Sequence, residues 1–320
     1  MKRGSAIGVA ILGACGSSAN PLPAGSQVGP ALTAAMRAAD QARAPWRCVA
    51  SDGPTLKAES FSVDDKTWKL DGHVISREGG GEIVIGAIAD AGGAAPATIA
   101  ALGRLREKLS KADVIVALGG MGTTKEELEA TLGAIVDKAP LIAMPGDLED
   151  AGALADAAMA LRAKGKIVID GRLAHRIELG SATLGLAGGA SAAGRLVAGS
   201  DGCAYAPAGV ASLIADLTAR KGVRVLASSE APRDERAGEP TGELAITAGA
   251  GQEIDVALHG PMAEGASRAR AGGRDGNAVP LTPGTLDATP RLPDPARAPT
   301  AGLLVVRGDT WTWKPIADAQ

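Results

Sequence analysis

From Glu82 to Lys164 the sequence alternates between short apolar runs and longer stretches with helical spacing. Ile83–Ile88 leads through Asp90-Ala91-Gly92-Gly93 to a helical stretch over Pro96–Lys111. Asp113–Leu118 leads through a Gly-rich loop to a helix over Lys125–Lys138, and Leu141–Met144 leads through Pro145-Gly146-Asp147 to a helix over Ala151–Lys164. Strands alternating with helices require βαβ units and a parallel sheet. In such sheets the functional groups gather in loops beyond the carboxyl ends of the strands.

The flanking sequence is richer in strands. Upstream, Pro30–Ala44 has helical spacing, and Trp46–Ala50 and Glu59–Val63 read as strands. The stretch from Trp68 carries Asp71-Gly72 between two strand-forming runs, which predicts a hairpin because Asp-Gly suits the primed turns. Downstream, Ile167–Ile169, Arg172–Leu179 and Ala182–Ala187 read as strands, Ala208–Lys221 as a helix, and Val223–Leu226 and Ile254–Leu258 as further strands. Residues 260–300 read as loop, with Arg268, Arg270 and Arg274 as a solvated basic stretch or a contact for an anionic partner. Leu303–Arg307 and Thr310–Lys314 predict a closing hairpin around Gly308-Asp309. Trp46, Trp68, Trp311 and Trp313 lie near the two ends of the folded body, which predicts that the terminal hairpins pack together on one sheet edge or layer.

The N-terminus has a different character. Met1-Lys2-Arg3 and a short apolar run end at Leu12-Gly13-Ala14-Cys15, with small residues before a Cys. This resembles a bacterial lipoprotein signal, whose Cys is lipidated and becomes the mature terminus. The expected organisation is a signal over 1–14, a Gly/Ser/Pro-rich tether over 15–30 and an N-terminal helix and hairpin extension over 31–81. A main domain over 82–320 follows. Lipidated Cys15 would hold the chain to a membrane, in a bacterial cell envelope facing the periplasm or the cell surface. Cys48 and Cys203 then remain; in an oxidising compartment they could pair, and two buried free thiols are the expectation.

The side-chain inventory excludes several functions. Aromatic residues make up 2% of the chain, which disfavours a base-stacking platform for nucleic acid. The net charge of −3 argues against a grip on phosphate backbones. His73, His175 and His259 are the whole histidine supply. No Gly-x-Ser-x-Gly elbow occurs, no His is positioned by sequence to activate Ser228 or Ser229, and no Cys pair has zinc-ligand spacing. The loop after Leu118 fails the P-loop spacing. Its better reading is an N-cap at Thr123 or Thr124, with Glu126 or Glu127 completing a capping box. Asp90 follows one strand and Asp147, Glu149 and Asp150 follow another. Such carboxylates can converge on a hard cation, or Asp147 and Asp150 can simply cap the next helix.

Seven blocks in order carry a family resemblance. They begin at Asp90-Ala91-Gly92, Gly119-Gly120, Gly146-Asp147-Leu148-Glu149 and Gly188-Gly189. Ser228-Ser229-Glu230, His259-Gly260-Pro261-Met262 and Thr282-Pro283-Gly284 follow. From about Glu82 to Lys314 the chain resembles the calcineurin-like metallophosphoesterases. The resemblance implies an α/β fold, a β-sandwich flanked by helices, with metal ligands on loops after successive strands. Most of those ligands are replaced: Gly92, Leu148, Ser229, Gly260 and Met262 stand where the family keeps imidazoles, and Gly120 stands where it keeps the bridging Asp. Asp90 and Asp147 are the residual ligand positions, with Glu149, Asp150, Glu230 and His259 as possible helpers. The leading expectation is a non-catalytic binding or structural protein with no cofactor. One alternative is a hydrolase with a divalent metal in a rebuilt oxygen-ligand site. The other is a periplasmic small-ligand binding protein, which a wholly parallel, doubly wound sheet would favour.

Overall fold

The computed structural model describes residues 48–49, 55–63, 65–147, 149–191, 202–232, 246, 253–260, 267–276, 278–287 and 299–318. The expected signal, Cys15, the tether, the helix over 30–44, Trp46 and Leu148 lie outside them. The described strands form two sheets.

The second sheet contains the alternating region. Strands β4 (Glu82–Ile88), β5 (Val114–Ala117), β6 (Leu141–Ala143) and β7 (Val168–Asp170) run parallel as the alternation requires. The helices between them are α1 (Pro96–Lys108), α2 (Lys125–Ile135) and α3 (Ala151–Ala163). Leu102, Leu105, Leu128, Leu132, Leu154 and Leu161 recur at helical spacing and form one apolar layer with Ile88, Ile115 and Val168 of the strands. The Thr124 side chain accepts from the Glu127 N–H and Glu127 reaches back, so the capping box expected from sequence starts α2.

On the other side of β4 the sheet turns antiparallel. β14 (Thr300–Arg307) pairs with β4 and with β15 (Thr310–Ala317), which is the predicted hairpin around Gly308. A short strand, β12 (Arg270–Gly273), adds the last edge beside β15.

The first sheet has the order β1 (Leu56–Val63), β2 (Lys66–Gly72), β3 (Val74–Arg77), β8 (Arg176–Leu179), β9 (Ala182–Ala187), β10 (Val223–Ser228), β11 (Val256–His259), β13 (Val279–Leu281). The β2–β3 pair is the Asp71-Gly72 hairpin. It extends the main sheet through a parallel ladder from β3 to β8. Helix α4 (Pro207–Thr218) covers this sheet through Val210, Leu213, Ile214 and Leu217.

Between the sheets lies the main core, with Ile75, Ile85, Val116, Leu184, Val225 and Leu304 among its buried side chains. Two sheets face each other here, so the wholly parallel, doubly wound alternative does not hold. The loop expected over 260–300 contains β12 and β13. Each has only three or four residues, too few for a periodicity to show in sequence.

The described tryptophans share one core layer as expected, but not one sheet edge. Trp68 belongs to the first sheet, whereas Trp311 and Trp313 belong to the second, so the terminal hairpins do not share a sheet. All three side chains point into the core between the sheets. Trp68 is backed by the Arg77 guanidinium, 5.6 Å from the ring centre. Arg77 in turn pairs with buried Asp113, which also accepts from Lys66 and from the Val84 N–H. This cluster ties the first sheet to the start of β5. Burial would raise the Asp113 pKa, but Lys66, the Val84 N–H and Arg77 outweigh it and hold the carboxyl below its usual value.

Candidate functional site

The carboxyl ends of β4, β5, β6, β9, β10 and β11 meet at one end of the sandwich, and their loops touch through glycines. Gly119 has φ +92, and a Cβ there would lie 2.8 Å from Gly146 Cα. Gly120 has φ +74, and a Cβ there would lie 2.8 Å from Asp90 Cα. The loops of β4, β5 and β6 are therefore in contact backbone to backbone. A Cβ at Gly260 would lie 2.2 Å from Ser229 O, so the loops of β10 and β11 approach as closely. Side chains at these positions would force the loops apart, which is a physical reason for the glycines.

The carboxylates of this region are engaged in closing the loops. Asp90 sits at φ +52, a left-handed conformation uncommon outside glycine. Its Oδ2 accepts from Thr285 Oγ1 at 2.9 Å, and its carbonyl accepts from the Leu286 and Asp287 N–H groups. Glu149 is 1% exposed. Its Oε1 accepts from the Met121 N–H at 2.7 Å and its Oε2 from the Gly146 N–H at 2.8 Å. One carboxyl thus joins the loop after β5 to the loop after β6. Burial, opposed by these N–H groups and aided by the charge of Asp147, pushes its pKa up to about 7.

Asp150 is the N-cap of α3 and accepts from the Ala153 N–H at 2.9 Å, as the capping reading requires. Asp147 is half-buried beside it. Glu230, buried after β10, accepts from the Tyr205 hydroxyl and from the Ser191 N–H. Among the described residues, no three His, Cys, Asp or Glu side chains form a group able to hold a metal ion.

The register of β10 and β11 places His259 beside Ser228, a proximity the sequence did not show. The two side chains point their polar groups elsewhere. Ser228 Oγ donates to Glu230 O at 2.6 Å, and His259 Nδ1 donates to Gly260 O at 2.7 Å. Ser229 Oγ donates to Gly189 O. His259 is 2% exposed, and burial pushes its pKa down to about 4. It is neutral at pH 7. Its folded value lies below the unfolded one of about 6.5. Its contribution to stability is therefore complete above pH 6.5 and is lost as pH falls towards 4. Burial also pushes the His175 pKa down to about 4, so replacing His259 with Gln should make this acid limb shallower without removing it, read as the urea midpoint across that range. An unchanged limb would show that other groups govern it. His73 and His175 stack face to face, 4.1 Å apart, at the turn of the β2–β3 hairpin.

Sequence reasoning missed two partners of these carboxylates, Thr285 and Tyr205. It also missed the bond between Cys48 and Cys203. These are joined in a disulfide with Cα atoms 5.5 Å apart, in place of the expected free thiols. Residues 202–205 lie against residues 189–191 through the Ala190–Cys203 and Tyr205–Ala190 backbone bonds, which bring Cys203 to Cys48. Gly189, at φ +91, has no room for a Cβ, which would lie 2.8 Å from Cys48 Sγ.

No family model and no curated protein matches the sequence. Solved structures match in shape. TT1561 of Thermus thermophilus has a TM-score of 0.48 at 12% identity, over 74% of this chain and 99% of that one. The purple acid phosphatase PPD1 from yellow lupin (Lupinus luteus) seeds has a TM-score of 0.48 at 10% identity, over 79% of this chain and 57% of that one. A structure of PhoD has a TM-score of 0.46 at 11% identity, over 78% and 70%. The fold is an α/β sandwich of two sheets flanked by helices.

Proposed function

We propose that this chain is a lipid-anchored envelope protein whose phosphoesterase-like sandwich binds or organises rather than hydrolyses. The observation that carries this reading is the employment of the strand-end carboxylates. Glu149 holds two backbone N–H groups, Asp150 caps a helix, Glu230 holds Tyr205, and Asp90 holds Thr285. A two-metal hydrolase needs ligands for both ions and a bridging oxygen between them. In the family resemblance Gly120 takes the place of the bridging Asp, and a Cβ there would lie against the Asp90 backbone. The residues present do not fit such a centre.

The disulfide supports an oxidising compartment outside the cytoplasm. In this reading Cys15, after small residues at the end of the apolar N-terminal run, supplies the membrane attachment. Lipid labelling should be lost in Cys15→Ser. The purified protein with added Mn²⁺ should hydrolyse nitrophenyl phosphate mono- and diesters no faster than its Asp90→Ala variant. Turnover that Asp90→Ala abolishes would overturn the reading in favour of a rebuilt metal site.

A further inference from the structure

The guanidinium groups in and around β12 pair with no carboxylate of the sandwich among the described residues, although the backbone of Arg270 pairs with Trp313 and the Arg274 N–H donates to Asp309 O. Arg268, Arg270 and Arg274 are exposed, and no ion pair forms to them among the described residues. Elsewhere guanidinium groups are held by carboxylates: Arg77 by Asp113, Arg104 by Asp318, Arg176 by Asp216 and Arg224 by Asp255. Exposed Asp275 and Asp309 adjoin Arg274, so the local excess of positive charge in this chain of net charge −3 lies at Arg268 and Arg270.

The backbone beneath it is held in place. Trp313 Nε1 donates to Ser267 O at 3.1 Å, and the Thr282 N–H donates to Ser267 Oγ at 3.0 Å. Thr282 Oγ1 donates to Gly260 O, so the entry to β12 reaches the rim of the strand-end loops. β12 pairs with β15 on one side and, among the described residues, ends the sheet on the other. Arg268, Ala269, Arg270 and Ala271 are exposed in succession.

We infer that this edge is a docking surface for an extended acidic segment of a partner protein, added as a further strand with carboxylates at alternate positions. Successive residues of a strand alternate faces, so carboxylates two residues apart meet Arg268 and Arg270, each able to take one in a bidentate pair. The same charges disfavour pairing of two copies of this chain, because like charges would then oppose one another across the new ladder. The surface thus rejects itself and admits an acidic strand.

The full chain carrying Cys15→Ser is titrated with a short peptide of alternating valine and Asp or Glu, and with its Asn/Gln counterpart. The acidic peptide should bind about tenfold more tightly, the scale of two exposed ion pairs, and the difference should shrink as salt rises. The Arg268→Gln/Arg270→Gln variant should weaken the acidic peptide by about the same factor and leave the neutral one unchanged. Equal binding of the two peptides, or full binding to the double variant, would overturn the inference. So would arginine-dependent capture by phosphatidylglycerol vesicles with no binding of the acidic peptide, which would mark a lipid surface instead.

Discussion

Glu149→Ala should lower the unfolding free energy by about 2–4 kcal/mol near pH 6, because it leaves two buried N–H groups without acceptors. Those groups belong to Met121 and Gly146, on loops after two different strands. Hydrogen exchange should rise at both loops together, whereas a simple packing defect would be felt mainly in α3. Glu149→Gln separates charge from shape. The wild-type carboxyl has a folded pKa of about 7 against an ordinary glutamate value of 4.5. The folded chain therefore holds an extra proton between these values. Stability from this source is complete below pH 4.5 and is lost as pH rises through 7, by about 3 kcal/mol in all. The Gln variant cannot ionise and should lack that slope. His259 acts in an overlapping window with the opposite sign, so the difference between wild type and each variant is the quantity to plot. Parallel profiles for wild type and Glu149→Gln would remove Glu149 as a buried titrating group.

The second large effect lies in the core. A Cβ on Gly302 would fall 1.9 Å from the Trp313 ring, and one on Gly272 2.5 Å from Trp311. These glycines are the floor on which the two indoles lie. Gly302→Val should cost at least about 3 kcal/mol, roughly 10 °C in Tm, because a fully buried indole has nowhere to retreat. Gly302→Ala should cost much less in a Trp313→Leu background, where the smaller side chain leaves room. Additive losses in that cycle would mean that the two residues do not share the space.

Much of the framework was legible in sequence, since period and turn chemistry are local properties. The β4–α1–β5–α2–β6–α3 alternation, the Asp71-Gly72 hairpin and the Thr124 capping box each depend on neighbours within a few residues. What escaped depends on distant pairs. Thr285 reaches Asp90 across 195 residues, and Tyr205 finds Glu230 only because β9 and β10 are adjacent. The role of Glu149 was hidden for another reason. An acid after a strand reads as a ligand or a cap. The Gly146 N–H is only three residues away, but the Met121 N–H becomes its neighbour only once Gly119 and Gly146 let the loops touch. Likewise, the sequence showed that histidine was scarce, but only the β10–β11 register showed what lay beside His259.

The Cys48–Cys203 bond closes a covalent ring around most of the sandwich. Its two ends are 155 residues apart in sequence, and all the strands from β1 to β9 lie within it. Tension applied between the chain's ends would cross from one sulfur to the other and bypass everything between. While the ring is oxidised, the covalent load path does not run through β4 to β7, and of the sheet ladders only the one between β14 and β4 passes force into those strands. A protease that cut a loop inside the ring would leave the two pieces joined. Reduction would return about 500 Å of chain to the load path.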